Sequence, residues 1–473
     1  MYHLIKIAIL ILISITLVEP KTVINRYVDE VCDLDPKLVK EIASYKNVTR
    51  NIMKEITVGG LGNTMYQEYT NFIDEFGARP AGTENLEKSI DYMINLTKTN
   101  GLNDVTTEEC EIPHWVRLHE SATMIQPYNK TIALLGLGTS VSTPPEGITA
   151  EVIVVDSFDE LNKTDPKNIE GKIVLFNAPY VTYGDTVQYR SHGASKAAKM
   201  GAVASLVRSI TPFSLYTPHT GAQAYEDNVK KIPSAAITIE DARLMRRLQD
   251  KGKKIILNLK MSNTIDTKRS RNTLIDLKGT QNPEKLVIVS GHIDSWDVGV
   301  GAMDDGGGMM ISWFVPVVLN HLNLKPKRTV RAILWTSEEP GLVGAQAYLK
   351  KHENDLGNIN FIMESDEGTF RPLGLDVAGS KKARCIVKEV LKLFVPINKM
   401  RNSGYPGSDI VLFINKGIPG ASLLNQNEKY FWFHHSEADT LDVQNQTDVI
   451  ECAAFWAAFS YVIADLSVDI PRT

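Results

Sequence analysis

Cysteine is scarce in this chain. Four of 473 residues carry thiols, Cys32, Cys110, Cys385 and Cys452, and no two of them form a CxxC pair. That argues against a cysteine-built zinc site. An oxidising compartment would permit disulfides, but three pairings are open and the spacing does not choose among them. Cys452 borders the apolar run AAFWAAFSYVIA and reads equally well as a buried free thiol. Excess positive charge is also lacking. Lys and Arg number 51 against 56 Asp and Glu, a net charge of -5, so no basic surface for nucleic acid is suggested. Beyond the N-terminus no stretch approaches the length of uninterrupted apolar sequence that a membrane span needs. A soluble mature protein is expected, with no membrane association once any leader is removed.

What is present begins with such a leader. Lys6 precedes an almost wholly apolar run over 7–18, which is short for a membrane span and reads as a secretory signal over residues 1–20. Residues 21–45 are polar and mixed, and fit an N-terminal arm or a propeptide whose presence would make the precursor a zymogen. Five Asn-x-Ser/Thr sequons, at Asn47, Asn95, Asn129, Asn162 and Asn445, agree with a secretory route. The expectation is a secreted glycoprotein, with lysosomal retention open.

The length suits two or three domains, and 43% hydrophobic with 23% charged residues is ordinary for a globular chain. Helical periodicity covers 63–100, with Thr83 as an N-cap before Glu84 and Glu87 and an apolar face of Ile90, Met93, Ile94 and Leu96. From about residue 120 the texture changes to short β-rich runs (EVIVVD, KIVLFNA, VASLVR, AAITI) with helices near 193–200 and 240–251. This reads as an inserted β-rich domain over 121–267, within a catalytic domain made of 46–120 and 268–473. In the latter part, strands ending at His292, just before Glu338 and just before Asp366 alternate with helices over 306–322 and 342–352. That alternation predicts an α/β fold, a mostly parallel central sheet flanked by helices. Ligands bind beyond the carboxyl ends of such strands, where these three segments fall.

The segments are GHIDSWDVGVGAMDDGGG, WTSEEPG, MESDEG and FHHSEADT. His292 offers a neutral imidazole to a metal, with Asp294 expected to orient it. Asp304, ahead of Asp305 and three glycines, can bridge two cations through its two oxygens. Of the adjacent Glu338 and Glu339, one can bind metal while the other accepts a proton from water. Asp366 and His435 complete the set, with Asp439, four residues on, expected as the partner of His435. His434 is a candidate to bond the substrate or its oxyanion. One histidine and one carboxylate for each of two metals, a carboxylate between them and a spare glutamate as base fit a paired-zinc hydrolase with two Zn²⁺ per chain.

These motifs resemble the co-catalytic zinc aminopeptidase family, and more narrowly its plasma glutamate carboxypeptidase branch, also called carboxypeptidase Q. The resemblance extends over nearly the whole mature chain and implies a zinc-exopeptidase fold in which 121–267 is a protease-associated domain. It assigns one zinc to His292 and Asp366 and the other to Glu339 and His435. Asp304 bridges them and Glu338 is the general base. It also suggests a cis peptide between Asp304 and Asp305, a homodimer, and substrate contacts from Tyr405, Ser408 and Asp409 in SGYPGSDIVLF. The function implied is a secreted di-zinc exopeptidase, a carboxypeptidase or dipeptidase, hydrolysing dipeptides or short peptides with unblocked termini through a metal-activated water. An N-acyl amino acid amidohydrolase, a single-zinc cyclising enzyme and a non-catalytic binding protein on the same fold are the alternatives. Side-chain preference, and whether the amino or the carboxyl end is recognised, are not written in these motifs.

Overall fold

The computed structural model describes residues 31–404 and 406–473, so the expected signal over 1–20, part of the expected arm and Tyr405 lie outside the described residues. Fourteen strands form one continuous sheet. From one edge the order is Lys399–Asn402, Pro372–Ala378, Gly420–Asn425, Ile359–Glu364, Asn282–His292, Arg328–Trp335, then Ile256–Leu277. It continues through Ile148–Val155, Ile173–Phe176, Ala204–Arg208, Ser234–Ile237 and Leu134–Gly136. Within the first group, Gly420–Asn425, Ile359–Glu364, Asn282–His292 and Arg328–Trp335 run parallel, with antiparallel partners on either side. The α/β class expected from the sequence is therefore found, in a mixed sheet.

The parallel register fixes where the chemistry sits. Trp335 lies opposite His292, and Glu364 opposite Ser290. Three adjacent strands thus end at one level, and the residues that follow them share one rim. Two largely buried helices pack against this sheet. Gly307–His321 is buried from Gly307 to Leu319 although Pro316 interrupts it. Gln446–Asp465 is N-capped by the Asn445 side chain, which accepts from Thr447 N and Asp448 N. It is long and apolar enough to cross a membrane, yet 78% of its apolar stretch is buried in the protein, so it is a core helix. Trp456 Nε1 donates to Ser312 Oγ at 3.1 Å, joining the two helices where burial makes an unpaired indole N–H costly.

Within the segment expected as an N-terminal arm or propeptide, Pro36–Ser44 is a helix packed on the core. Asp35 caps it by accepting from Lys37 N, and Pro36 opens it, where a missing N–H costs nothing. Leu38 and Ile42, one turn apart, are 7% and 1% exposed against the core. Cys32 is disulfide-bonded to Cys385 of helix Lys381–Leu391, while Cys110 and Cys452 are free.

Two 22-residue strands, Val105–Gln126 and Ile256–Leu277, pair antiparallel from Val105↔Ile275 to Gln126↔Ile256. They carry the chain out of the half that holds the parallel strands and back. The boundaries expected at 121 and 267 fall inside this ribbon, where hydrogen bonding is continuous except for irregularities near Arg117–Glu120 and Met124–Gln126. The lobe beyond has its own apolar clusters, one around Leu175, Leu206 and Leu257 and one around Phe176, Val207 and Ala236.

Candidate metal centre

Asp304 stands at the middle of the site. Its Oδ1 lies 3.2 Å from His292 Nε2, and its Oδ2 lies 3.4 Å from His435 Nε2. The two oxygens of one carboxylate therefore face two different histidines. His292 Nε2 is also 3.1 Å from Asp366 Oδ1, and His435 Nε2 is 3.1 Å from Glu339 Oε2. Residues from four distant segments thus form two half-sites, each with one imidazole nitrogen and carboxylate oxygens, sharing Asp304. The peptide between Asp304 and Asp305 is cis, as the resemblance suggested.

The donor chemistry fits cations. Asp304 Oδ2 and Glu339 Oε1 are buried and accept no hydrogen bond among the described residues. Unpaired carboxylate oxygens in a dry site are costly unless positive charge meets them. Burial pushes the carboxyls of Asp304, Glu338 and Glu339 up, with mutual repulsion adding to it. Burial opposes a charged His292 ring, but Asp366 and Asp304 outweigh it and raise the imidazole well above its usual range. His435 is driven the other way by burial, then by His434 and Arg190. A neutral imidazole is the ligating form.

Supporting contacts explain how the donors are held, and correct one expectation. Asp294, expected to orient His292, lies against it through its backbone carbonyl, 2.9 Å from His292 Nδ1, while its carboxylate is 3.8 Å from that nitrogen. The carboxylate accepts from Glu338 N at 3.0 Å and Glu339 N at 3.3 Å, fixing the glutamate pair. Asp439 was expected to partner His435. It accepts from Met303 N at 2.7 Å and Asp304 N at 3.2 Å, positioning the shared carboxylate from below. The reason is local: His435 has φ +59°, so the chain reverses there and a four-residue spacing does not bring the two side chains together. Burial and then Asp304 push the Asp439 carboxyl up to about 7.

The actual partner of His435 comes from the other lobe. Its Nδ1 lies 3.2 Å from the Thr220 carbonyl, which can only accept, so Nδ1 carries the proton and Nε2 keeps its lone pair for Asp304's side. Thr220 N donates back to the His435 carbonyl at 2.9 Å, and His219 Nδ1 lies 2.6 Å from the His434 carbonyl. Arg190 Nη1 donates to the same Thr220 carbonyl at 3.2 Å, so the two lie behind His435 together. Nothing in the sequence marks Arg190, His219 or Thr220, which lie more than 200 residues from His435 and belong to no motif.

A cleft of ≈ 510 Å³ opens over the centre, with Glu338, His434 and Ser408 among its lining. Glu338 is half-buried there. His434 stacks on His435, with ring centroids 3.5 Å apart, and its Nε2 is 3.6 Å from Asp304 Oδ2. Ser408 Oγ donates to Asp366 Oδ2 at 2.5 Å. Asp409, by contrast, is fully buried and does not line the cleft; its backbone N donates to Glu364. It is not placed for the substrate contact expected of it, because the turn that exposes Ser408 directs the next residue into the protein. The sequon residues Asn47, Asn95, Asn129, Asn162 and Asn445 are all exposed.

Comparison with known proteins gives a consistent result. Residues 272–460 match the sequence profile of Peptidase family M28. The chain is 49% identical to carboxypeptidase Q of Xenopus laevis, over 91% of this chain and 92% of that one. It is 48% identical to carboxypeptidase Q of Homo sapiens, over 92% and 93% respectively. Among solved structures it resembles a peptidase M28 precursor from Shewanella amazonensis, with TM-score 0.87, 30% identity, and 91% of this chain and 99% of that chain covered. An aminopeptidase from Aneurinibacillus shares the fold with TM-score 0.65 at 20% identity, covering 89% of this chain and 98% of its own.

Proposed function

This chain belongs to peptidase family M28, on its carboxypeptidase Q branch, and from that premise we propose that it is a secreted di-zinc exopeptidase acting on dipeptides or short peptides with unblocked termini. The observation that carries the reading is the division of the Asp304 carboxylate between His292 and His435. His292 and Asp366 would hold one zinc, Glu339 and His435 the other, and Asp304 both. Bound there, the zinc pair would supply the positive charge that acidifies water and polarises a peptide carbonyl.

The protein's own groups do the rest. Glu338, at the cleft wall, takes a proton from water as the water oxygen bonds to the scissile carbonyl carbon. It returns that proton to the amine nitrogen as the C–N bond breaks, so no net proton is consumed by the side chain. Asp294 keeps Glu338 in place through the backbone, and Ser408 and His434 line the space where substrate lies. In this reading residues 1–20 are a signal, 121–267 an inserted protease-associated domain and the exposed sequons glycosylation sites. The active form is a homodimer, secreted or carried to the lysosome. A panel of dipeptides and N-acyl amino acids offered to the zinc-loaded protein tests the proposal. Hydrolysis of the dipeptides supports it, and turnover confined to acyl amino acids would refute it in favour of an amidohydrolase.

A further inference from the structure

Tyr183 enters the cleft from the lobe opposite the metal centre. It opens the helix Tyr183–Thr186, capped by the Thr182 side chain, in the connection that follows strand Ile173–Phe176. Its ring is clamped on three sides. It stacks on Phe431 with centroids 4.8 Å apart, meets His434 edge-on at 5.1 Å, and carries the Arg190 guanidinium 5.5 Å from its centroid. The ring thus has a defined direction, and it shares the cleft wall with Asp304, Glu338 and Glu339.

The hydrogen bonding of its oxygen is asymmetric. Arg190 Nη2 donates to Tyr183 Oη at 2.7 Å, so the phenol oxygen is used as an acceptor. No acceptor for the phenol's own proton is found among the described residues. A phenol that accepts from a cation is a stronger donor than a free one, because the cation draws charge out of the O–H bond. Arg190 is unusual in turn. It is 6% exposed, and its side chain donates to the Ala222 and Thr220 carbonyls and to Tyr183 Oη, none of them an acid. A buried guanidinium without a carboxylate is expensive, so its positive field has work left to do in the cleft.

We propose that Tyr183 is a catalytic residue: its phenol, aligned and polarised by Arg190, donates a hydrogen bond to the scissile carbonyl oxygen as that oxygen takes up the electron pair of the C=O π bond. The proposal rests on the peptidase reading above. No proton leaves Tyr183; the water proton still goes to Glu338 and then to the departing amine. Tyr183 lines the same cleft as Glu338 and Asp304, the cleft that receives the reacting carbonyl in that reading. Arg190 is a positioning residue that acts through Tyr183, and through Thr220 it also supports His435. The lobe is therefore part of the catalytic apparatus rather than a cover over it.

The experiment compares wild type, Tyr183→Phe and Arg190→Lys as zinc-loaded full-length proteins. It measures zinc per chain, kcat and KM on a dipeptide, and binding of a non-cleavable phosphinic dipeptide that mimics the tetrahedral state. Tyr183→Phe should keep its zinc and KM but lose about 10²–10³ in kcat, the usual loss for one oxyanion donor. Phosphinate affinity should fall in parallel. Arg190→Lys should lower kcat less in a Tyr183→Phe background than in wild type, since part of its effect passes through the phenol and the remainder through Thr220 behind His435. Wild-type kcat in Tyr183→Phe overturns the proposal. So does a loss confined to KM that vanishes when the dipeptide's carboxylate is replaced by an amide, which would make Tyr183 a reader of the carboxyl end. An inactive zinc-loaded wild type would overturn the peptidase reading and this proposal together, whereas an active wild type with an equally active Tyr183→Phe overturns this proposal alone.

Discussion

Replacing Asp304 with asparagine should move stability in opposite directions with and without zinc. In the metal-free protein the Asp304 carboxylate is buried where Asp366 and Glu339 repel it, and its Oδ2 accepts no hydrogen bond among the described residues. Removing an unsatisfied buried charge of this kind relieves about 1–3 kcal/mol. The chelator-treated variant should therefore melt higher than chelator-treated wild type. With zinc the sign reverses. A ligand present at a thousand times its Kd stabilises by about 4.1 kcal/mol, so two independent zincs contribute about 8 kcal/mol. Asp304 faces both half-sites, and even a hundredfold loss of affinity at each removes about 2.8 kcal/mol per zinc, or about 5–6 kcal/mol in all. The gap between zinc-loaded and chelated melting temperatures should thus shrink from both ends. Calorimetric melts of both proteins in both states, with zinc counted by elemental analysis, measure it. A variant that binds two zincs and keeps the wild-type gap would refute the view that one carboxylate serves two cations.

Glu338→Gln should retain zinc while kcat falls by about 10²–10⁴, the range for a lost general base; steady-state kinetics with metal analysis checks it, and wild-type turnover would exclude the role. Ile42→Ala should cost about 2–5 kcal/mol by opening a cavity under the N-terminal helix, read from denaturant midpoints. A polar arm would show no change. Asp276 is buried, which raises its carboxyl, but bidentate contact with Arg331 at 2.7 and 2.8 Å outweighs burial and holds it below the usual range. Its contribution is present above the unfolded carboxyl value, near pH 4, and is lost as pH falls through the lower folded value. Asp276→Asn should therefore cost about 3–5 kcal/mol at pH 7 and flatten the acid limb of a stability–pH curve measured in urea.

The catalytic half was legible because its donors follow three strands of a buried parallel run. Apolar residues up to His292, Trp335 and Glu364 announce strands, and charge placed straight after them has to sit at a sheet rim. The helix Pro36–Ser44 was harder, since nine residues offer only two buried apolar positions among several lysines and polar groups. The ribbon Val105–Gln126 was hidden for another reason. Most of its residues on either face are only half-buried, so alternation is weak and a change of composition within it passes for a domain edge. The partners of His435 were out of reach altogether. Thr220 acts through its main chain, which every residue possesses, and Arg190 and Tyr183 are ordinary types with no pattern linking them to a histidine more than 200 positions later. The partner expected for His435, Asp439, was missed because proximity along the chain was taken for contact, while its carboxylate is engaged by the Met303 and Asp304 amides.

The grip of the far lobe on the histidine pair limits how substrates can enter. A hinge that swung the lobe away would have to break the paired Thr220–His435 contacts and the His219–His434 contact, and would unseat a ligand of the metal centre each time it opened. The mouth is therefore of fixed calibre, admitting what diffuses through it rather than what a jaw can close around.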